Sequence, residues 1–164
     1  MKVFIYRHPD AEPGDPDEDR VLSDKGCEQA RNLARFIPEA EFDDVSEIWH
    51  SPYIRSSQAV EVLKQHFAVF HDVELHTIAE LEPDANVVDM GKLLAECEGD
   101  VIVCGHNPFL EELVTGLCSG EPGTGLVNLK KGGMICMERT CEGSQYMPMG
   151  FWTIDWYIMP RLIP

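Results

Sequence analysis

Two short apolar runs frame the chain. Val3 to Tyr6 lies at its start, and V-I-V-C, ending at Cys104, lies two thirds of the way along. Both are rich in β-branched residues and show no polar alternation, the pattern of strands buried on both faces of a parallel sheet. Each run leads into a histidine, His8 and His106. Between them, Ser46–His50 (S-E-I-W-H) and Glu74–Ile78 (E-L-H-T-I) read as two further strands, shorter and partly polar. Helical periodicity fills the gaps. Ser23 is a good N-cap for a helix carrying Cys27, Ala30, Leu33, Ala34 and Ile37 on one face and closing near Pro38. A second helix follows Pro52 through Ala59, Val60, Leu63 and Phe67. A third covers about 87–97, and a fourth starts with Pro108 in its first turn and runs through Leu110, Leu113, Val114 and Leu117. Gly116 weakens the last turn of that helix.

Strands alternating with helices of this length predict an α/β domain, a three-layer sandwich with a mostly parallel sheet flanked by helices. The tail breaks the rhythm. After Gly132-Gly133 come M-I-C-M-E-R-T and then G-F-W-T-I-D-W-Y-I-M, two closing strands expected to form an antiparallel hairpin at a sheet edge. The Gly/Pro-rich stretch 119–125 reads as a loop, because the remaining C-terminal segment is too short to fold alone. With 44% hydrophobic residues, the 164 residues are expected to form one domain over 1–164.

Charge changes the picture. Thirteen Lys plus Arg against 29 Asp plus Glu give a net charge of −16, so the average surface repels nucleic acid and anionic membranes. An anionic ligand must be held by local positive charge. The N-terminal apolar run is too short for a signal peptide, and no stretch approaches a membrane span of about 20 apolar residues, so a soluble, cytoplasmic protein is expected. The cysteines at 27, 97, 104, 118, 136 and 141 include no C-x-x-C pair and read as reduced, core-packed thiols, with no zinc site. His66, His71 and His76 are five apart, which puts neighbours on different sides of a helix, so they read as surface histidines.

In open α/β sheets, ligands bind beyond the carboxyl ends of the strands. Arg7 and His8 follow the first strand, Arg55 lies about a turn into the helix after the second, and His106 follows V-I-V-C-G. Two arginines and two histidines converging on one edge of an acidic protein suggest a site for a dianionic phosphoryl group, because guanidinium forks match phosphate oxygens. The free N–H groups of the helix opened by Pro108 are expected to face the same anion. Histidine can be the nucleophile of phosphoryl transfer, and flanking cations should lower the pKa of His8 and keep one ring nitrogen free. With that much positive charge, no Mg²⁺ or other cofactor is called for.

Arg7-His8, the block L-S-D-K-G-C-E-Q-A from Leu22, S-P-Y-I-R-S-S-Q from Ser51 and G-H-N-P from Gly105 together resemble the histidine phosphatase superfamily (phosphoglycerate mutase-like), and look closest to its SixA-like phosphohistidine phosphatases. The resemblance spans residues 1 to about 118. It implies that His8 is the phosphorylated nucleophile and that Arg7, Arg55 and His106 form the phosphate pocket. Glu80, in A-E-L-E-P, stands where many members keep an acidic proton donor, a role that needs burial to raise its pKa. Arg20 resembles an arginine near the phosphate; Asn107 is a further phosphate-side candidate that more readily shapes the turn. Pro9 replaces the family's usual glycine and lacks the backbone N–H that glycine supplies.

The acidic stretch Asp10 to Asp19 is expected to rim the site and disfavour polyanionic substrates. Only about fifty residues separate Arg55 from His106, which leaves little room for a capping insertion and favours an open pocket. The preferred reading is therefore dephosphorylation of phosphohistidine on a signalling or carrier protein. A small-metabolite phosphomonoesterase is the alternative, and it requires Glu80. A non-catalytic phosphate-binding module is the third reading; the intact His8 argues against it. Whether Lys130 and Lys131 touch substrate is open, as is whether Phe151, Trp152, Trp156 and Tyr157 serve the core or a dimer contact.

Overall fold

The computed structural model describes residues 1–163. Six strands form one sheet: β1 (Lys2–Arg7), β2 (Val45–His50), β3 (Leu75–Thr77), β4 (Asp100–Gly105), β5 (Met134–Cys141) and β6 (Phe151–Ile158), in the order β3-β2-β4-β1-β5-β6. The first four are mutually parallel; β5 is antiparallel to β1, and β6 to β5. The closing hairpin at one edge is thus as expected, while β3 is shorter than its sequence pattern suggested.

Strand alternation sorts the core into two layers. Val3, Ile5, Val101 and Val103 face one side, where they pack with α3 (Val87–Glu96) and α4 (Phe109–Ser119). Phe4, Tyr6, Ile102 and Cys104 face the other, against α1 (Asp24–Phe36) and α2 (Ile54–His66). Every one of these strand residues has no solvent exposure, which is why their runs read as continuously apolar. Burying each such large side chain is worth about 1.5–3 kcal/mol. Trp152 is buried in the first layer, while Trp156 packs against the second and Tyr157 against the first. A register shift between Cys136 and Met137 accompanies this change of face along β6. The C-terminal aromatics thus serve the core on both sides of an edge strand.

Two local features fix the loop after β1. Ser23 caps α1 by accepting from Gly26 N–H at 3.0 Å, and its hydroxyl donates to Asp10 Oδ2 at 3.0 Å. A Cβ on Gly26 would lie 1.9 Å from the Asp10 carbonyl oxygen, so only glycine lets the first turn of α1 sit on the chain two residues past His8. Pro108 is the N-cap of α4 rather than its first helical residue. Gly116 is accommodated because it is buried against Met149 and Pro122, and the helix ends three residues later at Ser119, capped by Gly120 at φ +84°.

All six cysteines are unpaired, but only Cys104 and Cys136 are fully buried and Cys141 is exposed, so the expectation of core-packed thiols holds for two of them. His66 and His71 are exposed and His76 half-buried. Among the described residues no helix is long and apolar enough to cross a membrane.

Candidate active site

The carboxyl ends of β1, β4 and β2 lie side by side, with Arg7 opposite Gly105 and His50 opposite Cys104. The chain leaves all three strands at the same level. His8 N–H donates to the Gly105 carbonyl at 3.1 Å and Ser51 N–H to the Cys104 carbonyl at 3.0 Å. His8, His106 and Arg55 are consequently buried together beyond the sheet. The His8 and His106 rings lie 4.9 Å apart between centroids, and Arg55 Nε donates to His8 Nε2 at 3.2 Å. Arg55 is the second residue of α2, nearer the helix start than the sequence suggested.

His8 Nδ1 lies 2.7 Å from the Pro9 carbonyl oxygen. A carbonyl only accepts, so Nδ1 carries the ring proton and Nε2 keeps its lone pair. Pro9 lacks an N–H, yet its carbonyl is what orients the His8 ring. Burial pushes the His8 pKa down to about 4 against the opposing pull of the Pro9 bond, with Arg55, Arg7 and Lys131 lowering it further. His106 is lowered to about 3, first by burial and then by His8 and Arg55.

His106 Nε2 lies 2.7 Å from Ser51 Oγ, which already accepts from Tyr53 N–H at 3.2 Å. The Ser51 hydroxyl proton is thereby free to donate to Nε2, which puts the His106 proton on Nδ1. His106 Nδ1 and Arg7 Nε are buried without a protein partner. Since buried donors are nearly always satisfied, two orphans beside the neutral His8 ring mark a place for an anion's oxygens. Arg7 is aimed by its Nη1, which donates to the Leu129 carbonyl at 2.7 Å.

A family model of the histidine phosphatase superfamily (branch 1) matches residues 3–82. The solved structure of the protein histidine phosphatase SixA complexed with tungstate superposes with a TM-score of 0.82 at 25% identity, covering 98% of both chains. The chain is thus similar to the histidine phosphatase superfamily, in sequence over residues 3–82 and in fold over nearly its whole length. The SixA structure from Agrobacterium tumefaciens gives a TM-score of 0.74 at 19% identity over 97% of each chain. A phosphoserine phosphatase from Entamoeba histolytica in complex with 3-phosphoglyceric acid gives 0.68 at 14% over 96% of each. No curated protein matches the sequence. This likeness supports a phosphatase and leaves the phosphoryl donor open, because one fold serves different substrates.

Three sequence candidates fall outside the cluster. Arg20 donates to the Glu12 carbonyl and to Asp17 Oδ1, both at 2.7 Å, and is spent holding the acidic loop. Asn107 Nδ2 donates to Glu111 Oε1 at 2.7 Å and to the Leu129 carbonyl at 3.0 Å, so its donors tie α4 to the following segment and none remains for phosphate. Glu80 is exposed on a short turn and lacks the burial its proposed role needs. In the first turn of α4, Leu110 N–H is already taken by the His106 carbonyl.

Sequence reasoning missed other residues of this cluster. Asp17 Oδ2 takes Arg55 Nη2 at 2.8 Å while its backbone carbonyl takes Nη1, so one acidic-loop residue holds the outer fork of Arg55. Its carboxyl is held below the usual range by the hydrogen bonds from Arg20 and Arg55. Tyr53 stacks 4.7 Å from the His106 ring, and the Arg55 guanidinium lies 4.8 Å from its centroid. Glu82, half-buried, lines a cleft with Tyr53, Ile54, Glu18 and Asp19. The motif A-E-L-E-P contains both glutamates, and only the burial of Leu81 between them separates an exposed Glu80 from a Glu82 turned toward the site's rim.

Proposed function

We propose that the protein hydrolyses phosphohistidine on a signalling or carrier protein through a covalent intermediate on His8. The observation that carries this reading is the His8 Nε2 lone pair, freed by the Nδ1 bond to Pro9 and set among Arg55, Arg7 and His106. Nε2 attacks phosphorus in line as the substrate's P–N bond breaks, and the departing imidazole takes a proton from solvent. Arg7, Arg55 and His106 Nδ1–H neutralise the equatorial oxygens. Water then attacks the phosphoryl group on His8, breaking the new P–N bond and releasing inorganic phosphate. An imidazole leaves more readily than an alkoxide, so the exposed position of Glu80 is no obstacle. The tungstate held by SixA, a tetrahedral oxyanion, agrees with a site of this kind.

Glu82 favours a second reading, a small-ester phosphatase in which its carboxyl protonates the leaving oxygen. Phosphate release from a histidine-phosphorylated carrier protein, run beside phosphoserine and a sugar phosphate, separates the two. Fast release from the carrier alone, abolished in His8→Ala, supports the phosphohistidine reading. Release chiefly from esters, lost in Glu82→Gln and kept in Glu80→Gln, overturns it.

A further inference from the structure

Five of the thirteen basic side chains in this strongly acidic protein line a single cleft of about 710 Å³: Arg7, Lys25, Lys130, Lys131 and Arg161. Among the described residues Asp10 is its one acidic lining residue, and its carboxylate is taken by Lys131 at 3.0 Å and by Ser23. Lys25, Lys130 and Arg161 are exposed, and none has an ion-pair partner among the described residues, although the chain carries 29 carboxylates.

The wall carrying Lys130 and Lys131 is rigidly built. Tyr157 Oη accepts Lys130 N–H at 2.9 Å and donates to the Asn128 carbonyl at 2.8 Å. Leu129 is held between Glu111, Asn107 and Arg7, the residue next to His8. Gly132 N–H donates to the Arg7 carbonyl at 3.0 Å, and Gly133 N–H to the Lys130 carbonyl at 2.8 Å. This positive wall is therefore in fixed register with the candidate nucleophile. The opposite rim of the site carries Glu18, Asp19 and Glu82, so the field across the site runs from basic to acidic.

We infer that the cleft lined by Lys25, Lys130 and Arg161 binds acidic side chains that flank the phosphohistidine of the substrate protein. The inference rests on the phosphohistidine reading and assigns a basis for partner choice within it. At about 710 Å³ the cleft is too large for one phosphate group alone, and its cations come from three separate segments, α1, the 128–131 segment and the 160–162 turn. In a protein of net charge −16, this is where an acidic partner is attracted rather than repelled. The expectation that the site disfavours polyanions is thereby limited to its acidic rim.

Two phosphohistidine peptides, identical except for Asp/Glu or Ser/Gln flanks, test it with the native protein and with a Lys25→Gln/Lys130→Gln/Arg161→Gln variant. The native protein should show a kcat/KM about tenfold higher on the acidic peptide at low salt, a preference lost at high salt. The variant should lose the preference while its rate on the neutral peptide stays within about twofold. Equal native rates on the two peptides, or a preference that survives in the variant, would overturn the cleft assignment while leaving the phosphohistidine reading intact. Turnover of p-nitrophenyl phosphate with neither peptide hydrolysed would overturn both.

Discussion

Acidification should destabilise this protein through two of its buried histidines, His8 and His106, which are held neutral. With a folded pKa of about 4 against 6.5 for an ordinary histidine, His8 binds fewer protons folded than unfolded between those values. Stability therefore rises with pH through that window. The contribution is fully present above about pH 6.5, falls as pH drops, and is gone near pH 4, a total of about 3 kcal/mol for His8. Between pH 7 and pH 5 the same linkage gives about 2 kcal/mol, or roughly 4–8 °C in Tm for a domain of this size. Carboxylates also titrate in this range, so the comparison to make is differential. Thermal melts of the native protein and of His8→Asn at both pH values cancel the terms the two share. The native protein should lose about 2 kcal/mol more than the variant on acidification. Equal losses would refute the claim that His8 is held neutral by burial and by Arg55. On the same argument, His8 and His106 contribute no titration to kcat/KM between about pH 5.5 and 8, because both rings are already neutral there. An enzyme-side pKa near 6.5 assigned to His8 by its absence in a variant would contradict it.

Other substitutions probe neighbouring links. Arg55→Lys keeps the charge but loses Nε to His8 and the fork to Asp17, and should lower kcat/KM by about a hundredfold or more, measured with saturating and limiting substrate. Asp17→Asn removes the carboxylate competing for the Arg55 fork. It should tighten inhibition by inorganic phosphate about threefold to tenfold, and weaker inhibition would show that Asp17 positions Arg55 instead. Gly26→Ala sets a methyl against the Asp10 carbonyl and should cost about 2–3 kcal/mol by denaturant melting, with loss of activity following the displaced loop. A midpoint unchanged from native would remove the close approach as the reason for glycine.

The layered α/β architecture was legible because its determinants are local. V-F-I-Y and V-I-V-C are apolar at every position, and only a strand covered on both faces needs that. The N-cap at Ser23 and the spacing of Leu33, Leu63 and Leu113 on their helices were equally plain. Arg7, His8, Arg55 and His106 could be singled out because strand ends in such a sheet gather at one edge, so order along the chain translates into place. The surroundings of each remaining polar side chain were decided only by the tertiary structure. Arg20, Asn107 and Glu80 occupy promising positions in the chain, yet their donors are spent elsewhere or their side chains point to solvent. Asp17 looked like one carboxylate of a solvated run until the fold laid it on Arg55. Lys25, Lys130 and Arg161 are more than a hundred residues apart at the extremes, and their shared cleft comes from the hairpin closing the sheet beside β1. Hydrophobic periodicity is written in neighbouring residues, whereas the pairing of charges and donors depends on contacts between segments distant in sequence.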